Sequence, residues 1–560
     1  MPTVEINKND LNSLLTQKFS DEKLESLLES AKGELKNTAG ENYKIELNDT
    51  NRPDLWTSAG IARQINLYLK NKQYTYPFFN TKDSDLTIEV DSNIKNIRPY
   101  VVGFAVKKIN ITEPLLLELI QNQEKFADNF GRKRKDIAIG IYKLKNITFP
   151  VKYKAVAPDA IKFIPLGMEQ ELNLKEILKE HPKGIEYKHL VEEYDKYPIL
   201  LDSKNNVLSF PPVINSKFIG EVEVGDTEIF IELTGYNLYN LMIIANIFAC
   251  DLADRGAEII PAKISYPYHT VFGENFIAPK IIEKEFSLDK SYFSKIVGFM
   301  PEDSDIKENL EKMGFINIDI TADTVKVEIP PYRNDIMHAV DVVEDFIIGK
   351  GFNNIKFEMP TYMTVGSLSN LELLSDKVRD IMVGIGFQEV ISNILNSKEN
   401  IYDKMNLPEI NGVEIANPMT ESYNVLRNSI IPVLLEVESF SGKADYPHKI
   451  FEVGDIALKD KENNYGSKTL MNMGAASIHS SSNFSEVKSY LNNIMYYIGI
   501  DNFELREEKI PFLIDGRSAA VFVNNIKTGY IGEVHPDVLE KWDINMPVTV
   551  LELTLDYLLK

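Results

Sequence analysis

Cysteine is nearly absent: Cys250 is the single thiol in 560 residues, so no internal disulfide can form. A secreted chain of this size would carry paired cysteines, and a reducing, cytoplasmic compartment is therefore expected. With one cysteine and seven scattered histidines, no thiolate zinc site can be built. The opening MPTVEINKND has no apolar region of the kind a secretory signal needs. Positive charge is short as well. Lys and Arg total 61 against 83 Asp and Glu, and the net charge of −22 repels a polyanion at long range. The one dense basic run, Gly131-Arg132-Lys133-Arg134-Lys135, reads either as a local patch or as a solvated loop before the apolar strand Ile137 to Ile141.

Long hydrophobic runs are missing too. The longest uncharged stretch, Leu233 to Cys250, contains Asn237, Asn240 and Asn246. Its apolar residues fall at i, i+3, i+4 spacing, which predicts a helix half buried in a soluble core and no membrane span. No Gly-rich loop of the Walker type is present, no Gly-x-Gly-x-x-Gly follows a predicted strand, and no Gly-x-Ser-x-Gly elbow occurs. Neither a strand-borne nucleotide site nor a serine hydrolase follows from motifs.

What is present is an ordinary folded composition, 44% hydrophobic and 26% charged, in a chain long enough for about three to five domains. Four segments emerge, making an α+β multidomain protein. Residues 1–90 are charged and helix-rich, with Ser20 and Asp21 as caps for a helix carrying Leu24, Leu27 and Leu28. Residues 91–267 alternate short β-branched runs (Ile137 to Ile141, Val207 to Phe210, Glu228 to Leu233) with helices, an α/β pattern whose exit is marked by Pro261 and Pro267. Residues 272–353 run helix, helix, strand, Pro330-Pro331, helix, with Gly349 and Gly351 as stop signals. Residues 354–560 again mix helices and strands. Lys44 to Leu47 aligns with Lys326 to Ile329, and each is followed by an Arg-containing loop, Asp54-Leu55 or Asp335-Ile336, and a helix. The first and third segments thus read as one small helical module used twice.

Two clusters carry candidate chemistry. In Pro330 to Asp345, Asp341, Glu344 and Asp345 fall at i, i+3, i+4 on one predicted helical face, with Ile336, Val340, Val343 and Ile347 directed into the core. With Asp335 upstream, these carboxylates are either a solvated acidic face or ligands for a hard cation such as magnesium. The second cluster joins Val207 to Ser216 with Glu228 to Gly235. Polar Asn215, Glu232 and Thr234 beside apolar strands are candidate pocket groups, or an edge-strand carboxylate and a cap.

Asn51-Arg-Pro-Asp-Leu55 with Gly60-Ile-Ala-Arg63, Ser209-Phe-Pro-Pro-Val-Ile-Asn215, Pro331-Tyr-Arg-Asn-Asp335 through Asp345, Asn417-Pro-Met with Leu426-Arg-Asn-Ser429, Phe451-Glu-Val-Gly454 and Gly532-Glu-Val-His-Pro536 occur in one order. That order resembles the β subunits of phenylalanyl-tRNA synthetase of the archaeal and eukaryotic-cytosolic type, over essentially the whole chain. The inserted oligonucleotide-binding-fold domain and C-terminal anticodon-binding domain of the bacterial form have no room here. The resemblance implies that aminoacylation, with its ATP, takes place on a partner α subunit. It implies that 354–560 is a degenerate, non-catalytic class II synthetase-like antiparallel-sheet domain. Arg427 lies in something like a second motif, but no Gly-rich third motif follows.

By the same resemblance, 91–267 is an editing-type domain with Leu200, Ser209, Asn215, Glu232 and Thr234 lining its pocket. The third segment is a B5-like domain whose Asp335, Asp341, Glu344 and Asp345 bind magnesium shared with the α subunit. The expected assembly is an α2β2 heterotetramer that binds tRNA-Phe and no membrane. A free-standing deacylase of misacylated tRNA and an inert synthetase-derived interaction protein are the competing readings. The size of the segments outside 91–267 weighs against a free-standing deacylase.

Overall fold

A computed structural model describes residues 3–48, 51–70, 72, 74–282, 285–356, 358–409, 412–441 and 443–559. They form two compact units, Met1–Glu358 and Met359–Lys560. Among the described residues no helix is long and apolar enough to cross a membrane.

The first unit begins with a three-stranded antiparallel sheet in which Asn42–Leu47 lies between Thr3–Asn7 and Gly33–Ala39. Ser20 caps the helix Asp21–Leu28, its Oγ accepting from Lys23 N at 3.3 Å, and Leu24, Leu27 and Leu28 are all buried. Each contributes about 1.5 to 3 kcal/mol of burial. Near the end of the unit the plan returns: Thr324–Glu328 lies between Glu285–Asp289 and Ile316–Ile320. Both copies run strand, two helices, two strands, loop, helix, the last being Ser58–Tyr68 in one and Ala339–Lys350 in the other. The modules, expected to be helical with a single strand before the last helix, each carry three strands. Their strands are short and alternate with exposed polar residues, so they carry a weaker sequence signal than the helices beside them.

Between the modules lies a ten-stranded mixed sheet. It reaches past both expected boundaries of the second segment, since Thr87–Val90 and Asn275–Ala278 are among its strands. Pro261 does not mark an exit; it sits inside the strand Glu258–Ser265. There the strand changes partners, from Tyr100–Lys107 to Thr87–Val90 and Asn275–Ala278, so an interrupted ladder tolerates a residue without an N–H. The helix Leu238–Asp254, capped by Asn237, packs on this sheet with residues 241 to 252 all buried. The expected half-buried helix is therefore buried nearly all round.

The second unit is built on a seven-stranded sheet in the order Gln388–Glu389, His448–Lys459, Ser467–Ile478, Val548–Thr554, Ile526–Val534, Leu513–Val523, Glu504–Glu507. All its neighbours are antiparallel except the first pair. Helices Asn370–Gly384 and Phe484–Ile498 contribute Val378, Met382, Leu491 and Met495 to one core, and Ile431–Phe440 contributes Ile431, Leu434 and Leu435 to another.

Candidate functional site

The ten-stranded sheet runs from Ile214–Asn215 at one end to Ile137–Lys143 at the other. These ends nonetheless meet, because Tyr142 Oη lies 2.9 Å from Ser209 Oγ in the strand next to Ile214–Asn215. The curled sheet encloses a cavity of about 320 Å3, closed on one side by Leu116, Leu119, Ile120 and Gln123 of the helix Glu113–Asp128. That volume suits one small ligand or one end of a larger one.

Register sets the cavity floor. Glu232 stands opposite Gly140, and Thr234 opposite Ala138. A Cβ at Gly140 would overlap both Tyr142 Oη and Glu232 Oε2, so only glycine lets these two side chains fold across the strand and meet. Tyr142 Oη lies 2.7 Å from Glu232 Oε2. The other oxygen, Oε1, is buried and has no hydrogen-bond partner. Burial lifts the Glu232 carboxyl from 4.5 to about 7, opposed by the Tyr142 hydroxyl, the Arg98 charge and the Thr234 hydroxyl. Arg98, itself buried, donates from Nε to Thr234 Oγ1 at 3.0 Å and from Nη2 to the Thr234 carbonyl at 2.6 Å. The same Thr234 hydroxyl that accepts from Arg98 also lowers the Glu232 pKa.

Four of the five expected pocket residues, Ser209, Asn215, Glu232 and Thr234, line the cavity. Leu200 does not and is corrected: it pairs with Ser209 one strand further back and lies fully buried in the apolar core. Tyr142, Gly140 and Arg98 were not anticipated, although a glycine two residues before a tyrosine inside a β-branched run signals a close approach on one face. The basic run lies at the cavity wall through Arg134, which donates to the Val213 carbonyl at 3.1 Å and pairs with Glu124 at 2.9 Å. Arg132, Lys133 and Lys135 remain exposed.

The four expected metal carboxylates are not gathered together. Among the described residues no set of three or more His, Cys, Asp or Glu could hold a metal ion. Asp335 accepts two bonds from Arg333, one from Nε at 3.0 Å, and lies 3.8 Å from Arg52 Nε. Asp345 Oδ2 is 2.6 Å from Arg333 Nη1 and only 1% exposed, while Val340 is 42% exposed, so the helix is rotated from the face predicted for it. Asp341 Oδ2 accepts from the backbone N–H of Met337 and His338, at 2.8 and 2.6 Å. Glu344, half exposed, reaches Lys32 at 3.1 Å. A dication beside two buried guanidinium groups would be repelled, so the four carboxylates do not fit a single ligand set. Their arginines instead form a joint between the repeated modules: Arg52 grips Asp54 at 2.9 and 2.8 Å as Arg333 grips Asp335.

In the second unit Arg427 is buried, with Nη1 2.6 Å from Glu452 Oε1 and Nε donating to the Asp455 carbonyl at 2.8 Å. Nearby, Glu552 accepts from Ile430 N, Asn472 Nδ2, Ser429 Oγ and Tyr530 Oη. Arg427 and Glu452 are thus spent on each other, and Glu552 on neutral donors.

Fold and site define a multidomain α+β protein with a small-ligand cavity in its first unit. A family model described as the tRNA synthetase B5 domain matches residues 286–352, and one described as the phenylalanyl tRNA synthetase beta chain CLM domain matches 355–555. Phenylalanine–tRNA ligase β subunits of Borrelia recurrentis and Borrelia duttonii are each 42% identical over 565 residues, covering 100% of this chain and of theirs. A crystal structure of an N-terminal fragment of the phenylalanyl-tRNA synthetase β subunit from Pyrococcus horikoshii is 39% identical. It covers 62% of this chain and 99% of the fragment, with a TM-score of 0.58. The chain belongs to the family of phenylalanine–tRNA ligase β subunits.

Proposed function

We propose that this ligase subunit removes wrongly attached tyrosine from tRNA-Phe in the cavity at Glu232, and supports the charging of that tRNA by an α subunit. The observation that carries the reading is Glu232 itself, a buried carboxylate on the cavity floor with one oxygen unpartnered. A pocket built for Phe cannot strongly reject an analogue that only adds a hydroxyl, so a second site must sort by that hydroxyl. A tyrosyl phenol would donate to Oε1, whereas a phenylalanyl ring would leave the oxygen unpaired, a difference of about 1 to 3 kcal/mol. Ser209, Asn215 and Thr234 line the same cavity and, with the tRNA terminus, would orient the attacking water without a protein nucleophile.

The cavity-bearing sheet is then the editing domain, flanked by the two modules, and the second unit is a scaffold. Its Arg427 is committed to Glu452, which accords with ATP being used on the α subunit. The likeness to the N-terminal Pyrococcus fragment favours the archaeal and eukaryotic-cytosolic type for the part of the chain that it covers. The two full-length relatives named above are bacterial, so that type is proposed for the domain plan and not for the source organism. An α2β2 assembly in the cytoplasm completes the reading. Of the four carboxylates, Asp341 and Glu344 are the pair left near the surface, and a magnesium ion shared with the α subunit would take these two.

The test is Glu232→Ala in the assembled enzyme. Hydrolysis of Tyr-tRNA should fall far more than Phe charging; equal loss of both activities, or of neither, would mean that the pocket is misplaced.

A further inference from the structure

Tyr142 lies at the centre of the cavity floor. Its ring is fully buried and packs against Phe230 at a centroid distance of 6.3 Å, and its hydroxyl bridges the two ends of the curled sheet. A phenol has one proton. With Glu232 ionised, that proton goes to Oε2 at 2.7 Å, and the Ser209 hydroxyl at 2.9 Å donates to Tyr142 in turn. The chain Ser209 to Tyr142 to Glu232 fixes the carboxylate rotamer and uses one of its oxygens. We propose that Tyr142 is a specificity-determining positioning residue of the Tyr-tRNA-hydrolysing site: by holding Oε2 it leaves Oε1 as the one buried acceptor that a substrate phenol must fill. This rests on the function proposed above and adds to it a residue that touches Glu232, not the reacting ester.

The discrimination depends on Glu232 being charged, since a protonated carboxyl accepts weakly and tolerates an apolar neighbour. The titratable and charged groups facing it are Tyr142 from Ile137–Lys143, Tyr153 from Val151–Val156 and Arg98 from the segment before Tyr100–Lys107. Burial raises its pKa, and the Tyr142 hydroxyl is the first of the groups that lower it. Without that hydroxyl, the carboxyl stays protonated to higher pH.

The experiment compares wild type, Tyr142→Phe, Gly140→Ala and Glu232→Ala as assembled enzymes, measuring kcat and KM for deacylation of Tyr-tRNA and Phe-tRNA across pH. Tyr142→Phe is expected to lower the ratio of kcat/KM for Tyr-tRNA over Phe-tRNA about tenfold or more, the effect of one lost bond to a buried charge. It should also move the acid limb of Tyr-tRNA hydrolysis up by about one pH unit. Gly140→Ala keeps the hydroxyl, but its Cβ crowds both Tyr142 Oη and Glu232 Oε2 and parts them, so it should reproduce both changes even if Tyr142→Phe folds poorly. If Glu232→Ala loses Tyr-tRNA hydrolysis while the other two variants match wild type in ratio and pH profile, Tyr142 has no such role and the pocket assignment stands. Faster Tyr-tRNA hydrolysis in Tyr142→Phe would also overturn the proposal, because it would make the hydroxyl a competitor of the substrate. Intact hydrolysis in Glu232→Ala would remove both the pocket assignment and the proposal.

Discussion

Replacing Glu232 by Gln should stabilise the protein, and the gain should grow with pH. The carboxyl is fully buried, and burial is what lifts it from 4.5 to about 7. An acid whose folded pKa is raised gives its full stability below the unfolded pKa and loses it as pH rises through the folded value. The interval from 4.5 to about 7, at 1.36 kcal/mol per pH unit, comes to about 3 kcal/mol at pH 8 but less than about 1 kcal/mol at pH 5. Glutamine keeps the shape and an acceptor for Tyr142 while removing the charge. Titrations elsewhere in the chain cancel in the difference between variant and wild type. Urea unfolding at pH 5 to 8 measures it. A chain of two compact units need not unfold in one step, so the transition of the first unit should be followed through buried Trp56 in a Trp542→Phe background. A constant gap across pH, or a wild type that is the more stable at pH 8, would refute burial as the source of the shift. The same result would remove the argument that this site holds a charge at the expense of stability.

Arg333→Met should destabilise the first unit by about 3 to 5 kcal/mol at pH 7, since it leaves Asp345 buried without its paired cation and Asp335 with only the more distant Arg52. Burial pushes the Asp335 carboxyl up, but the Arg333 and Arg52 charges overcome this and hold it well below the usual range. Its contribution is thus present above the unfolded pKa of about 4 and lost in acid, and the gap between wild type and variant should close below that pH. A loss under about 1 kcal/mol in urea unfolding would show that this joint carries little of the stability. If magnesium binds better at the formed interface than to the free chain, it must strengthen α and β association by the same free energy. Chelator should then weaken association of the wild type, and Asp341→Ala with Glu344→Ala should remove that dependence. A wild type indifferent to metal at constant ionic strength would return both residues to the solvated surface.

The sequence by itself determined the local pieces. Ser20 as a cap, the strand at Val207–Phe210 and the repeat of Arg-x-Asp loops before two helices depend on neighbours in the chain, through capping geometry and side-chain period, and all are present. Motif order was also sufficient to point to the family, because six short runs in register constrain a long chain. What only the tertiary structure decided concerns groups distant in sequence. Periodicity placed Asp345 on a carboxylate face, yet it is buried against Arg333, because the repeated modules meet there and their arginines need counter-charge. Leu200 and Ser209 are register partners, but only Ser209 reaches the cavity. Tyr142, Ser209 and Glu232 come from three strands, two of them near opposite ends of the sheet order, and meet because the sheet curls. Twist and closure arise from the summed packing of the whole sheet and the helices on it, and no short window of sequence carries that sum.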